Sequence, residues 1–307
     1  MQIIATTTTN MNIPANIETP KYEVDPRCLD CQFQAFDRLL NKYQSSYKQR
    51  QEFFEHFNVV MAKSASLTMA QIQRDLNSKF CAVTGVTNPY SVEKKESNAH
   101  SLSLYKNVRI KVLESVNPFN MALRLAIAGN IMDYGTSVDF HAQSTIIKAL
   151  ESEFAIDHSI ELRKKIKTAS KILYLGDNAG EIVFDKLLVE MIMHPRLTFA
   201  VRGSHILNDV TLEDAQQVGM DLVADIISNG YDAPSTVLSE CSDEFLRIYK
   251  EADVIISKGQ RNFEGLLAEN DSRIFSLFTV KCDVIAESLN VKKGDFVVYN
   301  QSKYIRE

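Results

Sequence analysis

Five short apolar runs in the second half of this 307-residue chain constrain its fold more than any other feature. They are Lys171–Leu175 (Lys-Ile-Leu-Tyr-Leu), Leu197–Val201, Leu222–Ile227, Val254–Ser257 and Ser276–Val280. Each is about one strand long and largely apolar throughout instead of alternating, so both faces of the strand must be covered. Stretches with helical spacing, such as Ile182–Met193, lie between them. Strands alternating with helices predict an α/β fold built on a doubly wound, mainly parallel sheet.

The first half reads differently. From Cys31 to about Leu150 apolar residues recur at helical spacing, as in Phe33, Phe36, Leu39 and Leu40, or Met121, Leu123, Ala126 and Ile127. Breakers at Gly85–Pro89 and Asn117–Pro118 divide these helices. The expected organisation is a helical N-terminal region over 1–150, of which 1–25 is an irregular lead-in, and an α/β core over 151–307. Glycine follows the same division: only three of the 11 glycines precede residue 176.

With 34 basic and 39 acidic side chains the net charge is -5, which gives no electrostatic footprint for nucleic acid. There is no apolar run long enough to cross a bilayer and no basic, apolar leader at the start, so the expected location is the cytoplasm. Five cysteines, an odd number, then read as reduced thiols. Cys28 and Cys31 form a lone CxxC. They are either packed or exposed thiols without a metal, a redox pair, or half of a zinc site onto which Cys282 would have to fold back.

Ligands of an open α/β sheet bind beyond the carboxyl ends of its strands. Three polar clusters stand there: Gly176-Asp177-Asn178-Ala179-Gly180-Glu181, then Arg202-Gly203-Ser204 with Asn208-Asp209-Val210-Thr211, and Lys258-Gly259-Gln260-Arg261-Asn262. Asp177 and Asn178 offer adjacent hard oxygens suited to Mg²⁺ or Mn²⁺ ahead of a helix N-terminus that favours phosphate. Asp209 would add a carboxylate from a neighbouring strand. Each of these residues can equally serve as a helix cap. Lys258 is either a cation reaching a phosphate or a solvated lysine. In the helical half Asn130 and Asp133 share one helix face after Gly129, and either line a cleft or mark the helix end. Dinucleotide, P-loop, α/β-hydrolase and zincin signatures are missing, and the six histidines show no ligand-like spacing.

Taken together, these clusters, the helical Gly129-Asn130-Ile131-Met132-Asp133, and weaker echoes in Asn88-Pro89-Tyr90, Lys94, Asn98 and Lys281-Cys282 resemble the damage-control phosphatases. This is the metal-dependent group catalogued as domain of unknown function 89, and the likeness is to its stand-alone microbial branch with an N-terminal CxxC. The resemblance spans about residues 26–300. It implies a helical region on a doubly wound core and a divalent metal (Mn²⁺, Mg²⁺, Co²⁺ or Ni²⁺) held by Asp177, Asn178 and Asp209. The implied activity is hydrolysis of small phosphorylated metabolites, sugar phosphates or damaged phosphometabolites. Lys258 matches the lysine that meets the substrate phosphate. The backbone amides of Ala179, Gly180 and Glu181 would stabilise developing charge, with Asn262 also at the substrate. Asn130 and Asp133 would close the cleft from the helical side and orient water or substrate, Asp133 as a catalytic residue, and Asp177 is best placed as the nucleophile or as the base for a water. Arg261 departs from the branch, which often has a small residue there. The alternatives are an S-adenosylmethionine-dependent carboxyl methyltransferase and a non-catalytic metabolite- or metal-binding protein.

Overall fold

The computed structural model describes residues 24–129 and 152–300. Three helices come first: α1 (Pro26–Lys42), α2 (Tyr47–Met61) and α3 (Met69–Thr84). Their starts are written in the sequence. Asp25 caps α1 with Pro26 at its first turn, and Ser46/Gln49 and Thr68/Gln71 form reciprocal capping boxes for α2 and α3. Phe36, Leu40, Phe53, Phe57, Ile72, Leu76 and Phe80 bury against one another, giving these helices a small aromatic core of their own. Two more helices, α4 (Ser91–Glu114) and α5 (Pro118–Ala128), instead pack toward the sheet, where Val108, Phe119, Leu123 and Ile127 join the main core.

The sheet has seven strands: β1 (Phe154–Asp157), β2 (Ile172–Leu175), β3 (Leu197–Val201), β4 (Asp225–Ser228), β5 (Val254–Lys258), β6 (Ile274–Thr279) and β7 (Phe296–Asn300). Their order is β1-β7-β6-β5-β2-β3-β4, and every neighbouring pair is parallel except β6 with β7. Six helices connect them: α6 (Ser159–Thr168), α7 (Glu181–Ile192), α8 (Leu212–Gln217), α9 (Asp243–Glu251), α10 (Gln260–Leu266) and α11 (Asp283–Leu289). Successive strand residues point to opposite layers. Tyr174, Phe199 and Ile256 meet α5 and α7, whereas Leu173, Leu175 and Ile255 meet Phe245 and Tyr249 of α9 and Leu266 of α10. The doubly wound expectation therefore holds.

The strand read at Leu222–Ile227 starts later, because Met220–Leu222 forms a 3-10 turn and the ladder with β3 begins at Asp225. The sixth strand begins at Ile274, two residues before the apolar run read from the sequence. Among the described residues no helix is long and apolar enough to cross a membrane.

Chain order places the crevice. From β2 the path moves outward through β3 to β4, then crosses back to β5 on the other side of β2. The carboxyl ends of β2 and β5 thus flank the point where strand order reverses, which is where open α/β sheets bind their ligands.

Candidate active site

The turn after β2 and the turn after β3 are stitched together. The Ala179 amide donates to Asn208 O and the Val210 amide to Asp177 O, both at 2.9 Å, so Asn178 and Asp209 form an isolated antiparallel bridge. This brings Asp177, Asn178 and Asp209 to one place, each 4% exposed or less. Asn178 Nδ2 donates to Asp177 Oδ2 (2.7 Å) and Glu181 Oε2 (3.3 Å), which turns its carbonyl oxygen away from those carboxylates. The third expected cluster closes the other side. A Cβ built on Gly259 would stand 2.0 Å from Asp177 Oδ2, so the carboxylate rests directly on the backbone that follows β5. Gly259 also has φ +82, a conformation that glycine adopts without strain.

Two buried cations serve these acids. Arg202, the first residue after β3, donates Nε to Asp209 Oδ2 (2.7 Å) and Nη1 to Thr236 Oγ1 (3.3 Å), and its Nη2 lies 3.7 Å from Asp177 Oδ1. Nη2 has no hydrogen-bond partner among the described residues. Lys258 donates to Ala126 O (2.7 Å), Asp185 Oδ1 (2.6 Å) and Glu181 Oε1. Burial alone would drive the ammonium to lose its proton, but Asp185 and Glu181 hold it above the ordinary lysine range. Burial also pushes the carboxyls of Glu181, Asp185 and Asp209 upward, despite their cationic partners.

The structure reassigns several expected substrate contacts. All three ammonium donors of Lys258 are committed to protein acceptors and the side chain is fully buried, so in this arrangement it braces the carboxylates instead of presenting a charge to a ligand. The Ala179 and Gly180 amides are committed too, the latter to Asn98 Oδ1 of α4 at 2.7 Å. Asn262 donates to Gly176 O (3.1 Å) and Lys258 O (2.8 Å) and accepts from Thr236, so it ties the turns after β2 and β5 to each other. Glu181 is present at the site as a buried carboxylate. Asn130 and Asp133 lie outside the described residues. Gly129, the last residue described before them, sits against Phe184 and Glu181.

Sequence reading assigned no role to Arg202, Asp185 or Asn98. A signal existed for Asp185: it stands one helical turn after Glu181, beside Ile182, Val183, Phe184, Leu187 and Leu188, which are apolar and buried. Two acids on a buried face require a cation. The thiol question has a different outcome. Cys282 accepts a hydrogen bond from Gln260 Nε2 (3.2 Å), and burial pushes the Cys28 thiol up to about 11. Among the described residues no three His, Cys, Asp or Glu side chains gather as a metal set, so Cys28, Cys31 and Cys282 do not form one.

A model of the damage-control phosphatase ARMT1-like domain matches residues 24–297. A damage-control phosphatase from Pyrococcus horikoshii is 40% identical over 185 residues, covering 58% of this chain and 64% of the relative. Another from Archaeoglobus fulgidus is 33% identical over 233 residues, 74% of this chain and 81% of the relative. Among solved structures, a DUF89 family protein from Pyrococcus horikoshii superposes with a TM-score of 0.81 at 30% identity, covering 91% of this chain and 99% of that one.

Proposed function

The chain belongs to the damage-control phosphatase ARMT1-like family, and from that premise we propose that it hydrolyses phosphate esters of small damaged or surplus metabolites, using a divalent metal at Asp177, Asn178 and Asp209. The observation that carries this reading is the stitching of the β2 and β3 turns, which sets two carboxylates and a carboxamide side by side in a buried crevice at the switch point of the sheet. The site fits a cation on its own terms. Asp177 and Asp209 stand with the Asn178 carboxamide, and since no three acids gather as a metal set among the described residues the carboxamide is the third donor; Glu181 and Asp185 lie behind them, with Arg202 and Lys258 as the buried cations. Asp209 Oδ1 makes no hydrogen bond among the described residues, with Arg261 Nη1 3.5 Å away, and the oxygen donors are hard. Mn²⁺, Mg²⁺, Co²⁺ and Ni²⁺ all suit such a set.

Bound there, the ion would polarise the phosphoryl group and offset its charge. Asp177, held against Gly259 at the switch point, stands where a nucleophile or the base for an attacking water is required. Arg202 Nη2 is the donor for a phosphoryl oxygen as charge builds. Lys258 acts one layer behind as a positioning residue, keeping Glu181 and Asp185 paired while joining α5, α7 and β5. A cytoplasmic location belongs to the same proposal. The named phosphatase relatives favour phosphate release over methyl transfer.

The test is phosphate release from a panel of small phosphate esters by chelator-treated protein, before and after adding each of the four metals. Release that disappears with chelation and returns with metal is the expected result. Folded, metal-loaded protein that releases phosphate from no ester contradicts the activity, and release indifferent to chelation contradicts the metal. Binding of S-adenosylmethionine in a parallel titration would instead support methyl transfer.

A further inference from the structure

A cleft of about 290 Å³ lies between the N-terminal helices and the turns that carry the carboxylates. The carboxylates do not line it, but two lining residues adjoin them: Asn208, next in sequence to Asp209, and Arg261, whose Nη1 lies 3.5 Å from Asp209 Oδ1. Its long wall is one face of α1, from Cys31 to Arg38. Those eight residues span about 10 Å along a helix, enough to run beside the whole of a small ester.

The charges on this wall are unbalanced. Among the lining residues the cations are Arg38 and Arg261 and the acid is Glu93, which is already bridged by Lys42. Arg261 has Asp209 beside it, and Asp209 is shared with Arg202. Arg38 is exposed and makes no ion pair among the described residues. A chain of net charge -5 therefore presents a positive cleft beside its candidate catalytic carboxylates, and the cation on its α1 wall is an arginine, whose planar fork suits carboxylate and phosphate.

We propose that this cleft takes phosphate esters whose leaving group carries a second acidic group, with Arg261 toward the transferred phosphate and Arg38 reading the second acid. The proposal rests on the phosphatase reading and refines its substrate class. Hydrolysis would release inorganic phosphate and a hydroxy compound that keeps the second acid.

The experiment compares matched ester pairs with metal-loaded protein. One pair differs by a carboxylate, phosphoglycerate against glycerol phosphate; the other differs by a phosphate, a hexose 1,6-bisphosphate against the hexose 1-phosphate. The acidic member of at least one pair is expected to have the higher kcat/KM by roughly tenfold, mainly through KM, because a charge-assisted arginine contact is made in the bound state. The pair that shows the preference identifies the acid. Arg38→Gln is expected to bring that ratio close to one, and Arg38→Lys to restore part of it, with thermal melting confirming that both variants fold. Equal rates within both pairs in the wild type, or a ratio that survives Arg38→Gln, overturns the assignment while leaving the phosphatase reading intact. No release from any ester, acidic or neutral, overturns the phosphatase reading itself.

Discussion

At the scale of single residues the site depends on how closely Asp177 approaches backbone. Gly259 leaves room for the carboxylate, since a Cβ built there would stand 2.0 Å from Asp177 Oδ2. Gly259→Ala should displace Asp177 by a sizeable fraction of an ångström or more. We expect metal affinity and kcat/KM to fall on the order of a hundredfold, read by Mn²⁺ titration and phosphate release; near wild-type values would show that Asp177 is not needed in this place. Lys258 makes a different prediction because it is buried and fully bonded. Lys258→Met leaves Glu181 and Asp185 without their cation and should cost about 3–5 kcal/mol in denaturant unfolding. A loss below about 1 kcal/mol would mean that the two carboxyls are already protonated and need no partner. Asp177, Asn178 and Asp209 could be picked out from the sequence because each follows a strand. What could not be read was how donors are shared. The commitment of Lys258 and the Gly180 amide to internal acceptors depends on α4, α5 and α7, which are remote in sequence from one another.

At the scale of elements, α4 is the brace for the loop after β2. Asn98 accepts from the Gly180 amide and donates to Asp214 Oδ1 (3.0 Å) and Gln217 Oε1 (2.9 Å), and Lys94 pairs with Asp214 Oδ2 at 2.6 Å. Three elements, α4, the β2 turn and α8, are joined through two residues one helical turn apart. Asn98→Ala strands a buried amide and weakens the hold on a buried acid. The expected cost is about 1–3 kcal/mol, measured as a lower denaturation midpoint together with faster amide exchange at Gly180; unchanged exchange there would contradict the bracing role. The five apolar runs located β2 to β6 because buried parallel strands are apolar on both faces. β1 gives little signal since it is a four-residue edge strand of alternating exposure, whereas β7, Phe-Val-Val-Tyr-Asn and buried throughout, carries the same apolar signal as the five runs and could have been read from it. The helices were legible from their apolar spacing and breakers, and the capping boxes at Ser46 and Thr68 mark the starts that this spacing left open.

At the scale of the whole molecule, two features coincide at the carboxyl ends of the central strands. The winding reverses between β2 and β5, and there the chain buries more carboxylates than cations. Such an excess is costly in a dry crevice unless another cation enters it or a carboxyl takes up a proton, as the upward shifts of Glu181, Asp185 and Asp209 favour. The positive cleft opening beside it, walled by α1, explains why the helical region should matter to substrate choice as well as to packing. The most direct measurement is an anomalous-scattering map from crystals of this protein soaked in Mn²⁺, with Asp177→Ala crystals treated alike. The account predicts one strong peak ligated by Asp177, Asn178 and Asp209 in the wild type, lost in the variant along with phosphate release. A peak coordinated by other residues, or phosphate release that persists in Asp177→Ala, would contradict it.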